Sequence, residues 1–303
     1  MPIVQNAHAG AHYALDIDGL PVGSLKTISG LDMLADIVAN DLGPGAMPAK
    51  HVSNFSWTPG RASIGLGMGQ AMYDWMKQAF DHGASTANGT LATGDFNFKQ
   101  RSLLTFQNAL LTAITVPRLD GASKDAGAFD IEFAPAAVRL SRGDGSDIRS
   151  SISSRQQPWM CANFRFELGS LPCARVASIE SFTWRCARAD DTIGIFPEPA
   201  QRPVAVTVPD LRLSISAADY DAWAQAAQVW FIEGRHLEGD EMNGLITLLT
   251  PDLQTPLGAI SLGNVGFKRF SQLPPSDGTD ALYRFTVDLY VERMSLRLLK
   301  YEG

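Results

Sequence analysis

Residues 12–33, HYALDIDGLPVGSLKTISGLDM, return in degraded form at residues 163–184, NFRFELGSLPCARVASIESFTW. The two stretches align without a gap, 151 positions apart. In each, an alternating segment (Tyr13, Leu15, Ile17; Phe164, Phe166, Leu168) runs into a Leu-Pro turn, at Leu20-Pro21 and at Leu171-Pro172. Period-two alternation ending in a turn is the pattern of a β-hairpin, so the chain reads as one hairpin written twice. A repeat at this distance is a strong constraint, because each copy must open a unit that buries its own apolar face. At 303 residues the length also favours two units, since single cores stop growing near ~250–300 residues.

The rest of the chain supports the repeat through element order. After the first hairpin, residues 36–60 are rich in Gly, Pro and Ala with no sustained period, which predicts an irregular arm that orders on a neighbour. A strand is expected over 61–67. A helix is expected over 69–80, where Met72, Trp75, Met76, Ala79 and Phe80 share one apolar face. Strands are expected at 90–98 and 103–115, and Phe129, Ile131 and Phe133 alternate with Asp130 and Glu132 in a strand with one wet face. Residues 141–157, SRGDGSDIRSSISSRQQ, have almost no large apolar side chains and read as a linker. In the second half the order returns: hairpin, irregular arm (186–209), strand (211–215), helix (217–233), strands (244–249, 257–267) and a final alternating strand through Phe285, Val287 and Leu289. In that helix Tyr220, Trp223, Ala227, Trp230 and Phe231 share a face, and Tyr220-Asp221 echoes Tyr73-Asp74. The expected organisation is mainly β: a first domain at 1–140, a linker at 141–157 and a second domain at 158–303.

Composition removes several classes. The formal charge of −7 argues against a protein that grips nucleic acid along a basic face, because phosphate affinity comes from Lys and Arg displacing counterions. No run of ~18 apolar residues is present to span a bilayer, so no membrane insertion is expected. The opening MPIVQNAHAG lacks the basic and apolar regions of a secretory signal, which points to synthesis for a cytoplasm. Three cysteines, Cys161, Cys173 and Cys186, fit neither a disulfide framework nor a zinc site and are expected as buried thiols.

No motif carries convincing catalytic chemistry, and neither a cofactor nor a metal is expected. The turn at 65–70, GLGMGQ, lies where a phosphate cradle would sit, but Gln70 replaces the third glycine of a dinucleotide fingerprint and no Walker lysine follows. His8 and His12 are four apart around Gly10, without a carboxylate at zincin spacing. Asp190-Asp191 reads as solvated charge in an arm. Trp75, Trp223 and Trp230 belong to helix cores, whereas Trp57, in an arm, and Trp159, beside the linker, are candidates for aromatic anchors against another subunit.

The runs DIDGLPVGSLKTISGLDM, KHV at 50–52, GLGMGQAMYDWMKQAFD, FQNALLTAITVPRLDGASKDAG and FDIEFAP together resemble phage tail tube proteins of the contractile-tail type and their relatives in bacterial contractile injection systems. The second half, with VPDLRLSISAADYDAW and NGLITLLTPDLQ, resembles the partner domain of a duplicated version. The resemblance implies β-sandwich or half-barrel domains, each with one flanking helix, in rings that stack into a tube. It implies that three chains supply a pseudo-hexameric ring and that the loop after the first hairpin reaches toward neighbours. Asp36, Lys50, His51, Trp57, Trp159, Asp190 and Phe196 are the expected assembly positions. The implied partners are further copies of the chain, sheath and baseplate proteins, and a DNA or protein payload that passes without specific binding through an acidic or neutral lumen. The implied place is a virion or phage-like tail, assembled in a bacterial cytoplasm. A tube initiator or terminator ring, and a monomeric ligand-binding sandwich, are the competing readings.

Overall fold

The computed structural model describes residues 12–40, 47, 49–149, 159–191, 200–271 and 284–302. The first half forms β1 (His12–Ile17), β2 (Leu20–Pro21), β3 (Leu25–Ser29), β4 (Met33–Asn40), β5 (Ala49–Trp57), β6 (Gly60–Ile64), helix α1 (Gln70–His82), β7 (Thr86–Gly94), β8 (Gln100–Val116), β9 (Leu119–Asp120), β10 (Phe129–Ala134) and β11 (Ala137–Arg142). The second forms β12 (Phe164–Leu168), β13 (Val176–Ile179), β14 (Phe182–Asp191), β15 (Ala200–Thr207), β16 (Leu211–Ser216), a 3-10 turn (Ala217–Asp219), α2 (Tyr220–Phe231), β17 (Met242–Leu249), β18 (Pro256–Ser271), β19 (Arg284–Leu298) and a final turn of helix, α3 (Leu299–Glu302). The molecule is mainly β, with a curled half-barrel sheet and few helices.

Strand order in the first sheet is β1-β7-β8-β10-β6-β3, and in the second β12-β17-β18-β19-β16-β13. Position for position these are the same order. The 151-residue spacing that relates the two opening stretches also relates β3 to β13, β5 to β15 and β6 to β16. At the sheet centre the spacing becomes 156: Phe129, Ile131 and Phe133 face Ile64, Ala62 and Gly60, while Phe285, Val287 and Leu289 face Ile215, Leu213 and Leu211. Even the β-bulge repeats, between Glu132 and Phe133 in one sheet and Phe267 and Arg269 in the other. β19 corresponds to β10 and β11 together. The shorter strands are separated at Pro135, whose missing N–H cannot join a ladder.

Three readings from the sequence change. The stretch at 12–33 is not a hairpin of two paired strands: β1 pairs only the two-residue β2 and then β7, while β3 pairs β6 at the other end of the sheet. β1 and β3 nevertheless come within 8 Å of each other, so the sheet curls until its ends approach. The irregular arms are themselves regular antiparallel hairpins, β4–β5 and β14–β15. Finally, the Tyr-Asp echo is out of phase, since α1 buries Met72, Met76 and Ala79 and α2 buries Trp223, Ala227 and Trp230 at the same spacing of 151. Tyr73 therefore matches Ala224, not Tyr220.

One continuous core draws on both halves, from Leu15, Met72 and Phe133 to Trp223, Val287 and Leu296. The glycine-rich turn before α1 belongs to it. Leu66 and Met68 are buried, the Gly69 N–H donates to Val22 O at 2.6 Å, and a Cβ on Gly69 would stand 2.2 Å from Pro21 O. A backbone amide already committed to a carbonyl cannot cradle a phosphate. The segment read as a linker starts inside β11 with Ser141 and Arg142, and further along it Ile148 is buried against Ala14 and Ala92.

Candidate assembly interface

The two halves are joined by an exchange of structure. The β14–β15 hairpin leaves the second half and adds to the first sheet, with Phe182, Thr183, Trp184 and Arg185 opposite Val116, Thr115, Ile114 and Ala113 of β8. β-Strands recruit a foreign edge because unpaired N–H and C=O groups are costly when water is excluded. Side chains reinforce the ladder: Thr115 and Thr183 hydroxyls meet at 2.9 Å and Ser181 Oγ donates to Val116 O at 2.9 Å. Alternate residues Phe182, Trp184 and Cys186 are buried, and Trp184 lies 5.9 Å from Phe80 near the end of α1.

The first half returns the contact. Tyr73 on α1 stacks on Tyr301 at 5.3 Å, and its hydroxyl donates to Leu296 O of β19 at 3.4 Å. Lys300 Nζ and Tyr301 Oη donate to Met68 O at 2.5 and 2.7 Å. Burial pushes the Lys300 ammonium below its ordinary range, as expected for a charge half withdrawn from water. Gly83 ends α1 in the left-handed region at φ 78°, and an added Cβ there would stand 3.0 Å from Val206 on β15. The glycine that ends the helix is thus also a close approach between the halves.

The β4–β5 hairpin occupies the equivalent place in the first half but pairs with no other described strand. Both its faces are open: Met33, Leu34, Ile37, Val52 and Phe55 are large, apolar and exposed. This arm also leaves its sheet differently. Gly30 and Leu31 have φ of 83° and 64°, whereas the counterparts Ser181 and Phe182 have no positive φ. Of the residues expected in an interface, Asp36, Lys50 and His51 are exposed on this arm, with Val38 opposite His51 and Ala39 opposite Lys50. Trp57 is partly buried at its root against the core. Asp190 lies opposite Gln201 in the other arm, and Phe196 lies outside the described residues.

Trp159 is a correction. It is buried, stacked on Phe129 at 5.8 Å beneath Gly127, where any Cβ would fall 2.0 Å from the indole ring. No surface is left for another subunit. Phe231 is the converse, placed on the buried face of its helix by periodicity yet exposed in the structure. The sequence reading missed β11 as a surface strand and the edge of β18; the signals were Leu140 and Phe270, apolar residues followed by polar stretches.

The wet sides of the sheets carry charge of both signs. Arg61 Nε meets Glu132 at 2.8 Å across β6 and β10, and Arg212 Nε meets Asp288 at 3.6 Å across β16 and β19, a cross-strand ion pair repeated at matching positions. Arg185 and Asp130 line the same depression as Arg61 and Glu132. Among the described residues no group of three or more His, Cys, Asp or Glu could hold a metal ion, and no helix is long and apolar enough to cross a membrane. Asp95 is a structural carboxylate, held below the ordinary range chiefly by the Lys99 N–H and then by Arg101 and the Asn97 N–H, all within one β-turn region.

No family model and no curated protein matches the chain. Solved structures do. A chain of the sheath–tube complex of an extracellular contractile injection system (PVC) in the extended state is similar at 17% identity and TM-score 0.39, covering 46% of this chain and 94% of its own. A chain of the anti-feeding prophage baseplate matches at 16% and 0.37, covering 45% and 92%. One of the anti-feeding prophage cap, described as a tube-terminating cap, matches at 16% and 0.35, covering 47% and 100%. Each match spans about half of this chain and nearly all of its own.

Proposed function

We propose that the protein is a structural subunit of a phage-like tail tube, built as two tandem tail-tube-like domains, with three chains supplying the six positions of each ring and rings stacking around a lumen. The observation that carries this reading is the repeat of strand order, bulge and arm in both sheets, with one arm already docked on the neighbouring sheet of the same chain. A head-to-tail contact that repeats must either close into a ring or run on as a filament. The resemblance of the sequence to tail tube proteins favours closure and stacking.

The wet face suits a lumen that does not hold its cargo. Arg61, Arg185 and Arg212 are set against Asp130, Glu132 and Asp288, so a polyanion would meet no continuous basic track. The partners in this reading are further copies of the chain first, then sheath and baseplate proteins, in a tail particle. No catalytic role is proposed. Negative-stain electron microscopy of the concentrated protein tests the reading: tubes of stacked rings are expected. Isolated rings that never stack would make it a terminator or initiator ring, and a monomer at every concentration would overturn it.

A further inference from the structure

We infer that the contact between copies reproduces the contact within the chain, residue position for residue position: the β4–β5 arm of one copy adds to the free edge of β18 of the next. The inference rests on the proposal that the chain assembles with itself, and goes beyond it by assigning the two surfaces and their register. Within the chain, α1 and the edge of β8 receive the β14–β15 arm and β19. The equivalents of the receiving side are α2 and the edge of β18. The equivalents of the inserted side are the β4–β5 arm and β11.

Among the described residues all four equivalents are open. On β18, Phe267, Arg269, Phe270 and Ser271 pair with β19 along one edge and with no described strand along the other, whereas the matching stretch of β8 pairs with β10 and β14 together. Three of the exposed apolar residues fall where the internal contact has buried ones. Phe231 is 45% exposed and matches Phe80 at 8%; Met33 is 52% exposed and matches Trp184 at 2%. Leu140 on β11 is 63% exposed and matches Leu296, fully buried beneath α1. Phe55, at 65%, matches Val206, which meets Gly83 while staying 41% exposed, and Gly234 after α2 repeats the left-handed φ of Gly83 at 74°.

Among the described residues, the two complementary sides of such an interface are therefore present, without a partner, on opposite halves of the same molecule. A solvated monomer has no use for apolar groups so placed, and a second copy supplies the complement of each. The internal ladder transfers directly. Trp184 opposite Ile114 becomes Met33 opposite Phe270; Arg185 opposite Ala113 becomes Leu34 opposite Arg269; Thr183 opposite Thr115 becomes Asp32 opposite Ser271. Met33 then meets Phe231 as Trp184 meets Phe80. Docking extends β4 backwards to Asp32, beside the left-handed turn at Gly30-Leu31 where the free arm departs from its docked counterpart.

Cross-linking at one pair of positions tests the register. Directly opposed residues in an antiparallel ladder have Cα atoms about 4.5–5.5 Å apart, within reach of a disulfide. L34C and R269C, each on an exposed site, are purified separately, mixed and oxidised. A covalent dimer on non-reducing gels is expected from the mixture and from neither variant alone, and the L34C and S271C mixture, out of register, is expected to yield none. Assemblies in micrographs without the 34–269 link, or with the 34–271 link in its place, would overturn this interface while leaving self-assembly standing. The 34–269 link in a protein that forms no rings or tubes would support the interface and overturn the tube reading. Met33→Asp is the second variant: with circular dichroism unchanged, it is expected to abolish assembly, and assembly at the wild-type concentration would count against the interface.

Discussion

The residue scale separates side chains buried within this chain from those it leaves exposed. Trp184 and Met33 hold equivalent places, yet one is buried by the chain's own helix and the other is half exposed. Trp184→Ala should cost the monomer ~3–5 kcal/mol, the usual range for emptying an aromatic core site, while Met33→Ala should cost under ~0.5 kcal/mol; paired denaturant titrations at a concentration below assembly check the contrast. Cys173 offers a chemical probe. Burial, and after it the nearby Glu167 and Asp219 carboxylates, push its thiol up to about 11 against an ordinary 9.0. Since the folded value is the higher one, the protonated thiol favours the folded state below pH 9 and this contribution fades as pH rises through 9 to 11. At pH 8 Cys173 should react with a thiol-specific disulfide reagent roughly 100-fold more slowly than an unperturbed thiol, and at the ordinary rate after unfolding in urea.

At the scale of elements, the helices and the sheet-centre strands were legible because each buries one face against a core. Met72, Met76 and Ala79 show a 3.6 period, and Phe285, Val287 and Leu289 a period of two, for that reason. The arms were not legible. A two-stranded hairpin that buries neither face leaves no alternation to read, so residues 36–60 read as irregular although β4 and β5, eight and nine residues long, cover most of the described ones. The opening stretch misled in another way. A turn between two apolar segments implies that they pair, but β1 and β3 take β7 and β6 as partners, which only a curled sheet makes possible.

At the scale of the whole molecule, the shared core and the exchanged arm bind the halves together more tightly than a linker would suggest. Trp184, Phe80, Tyr73 and Leu296 lie across the boundary, and the buried cluster continues from one sheet into the other. A single cooperative calorimetric transition is therefore expected, with calorimetric and van't Hoff enthalpies in agreement. Two resolved transitions would mean that the halves unfold independently and that the internal contact is weak. In the proposed assembly the contact between copies repeats the internal one, so the strength of the internal contact bears directly on how readily copies would join.

The sequence by itself predicted a repeat, with each half running from strand to helix to strands, and the apolar faces of the helices. Those properties are local, set by the period of side chains along a backbone. Whether an apolar face is covered by its own chain or left open was decided only in three dimensions. Trp159 and Phe231 look alike as aromatic residues near apolar neighbours, but one is enclosed by Gly127 and Phe129 and the other stands open at the end of α2. Burial depends on which strands share an edge, and strand pairing joins residues far apart in the chain, beyond the reach of any local pattern.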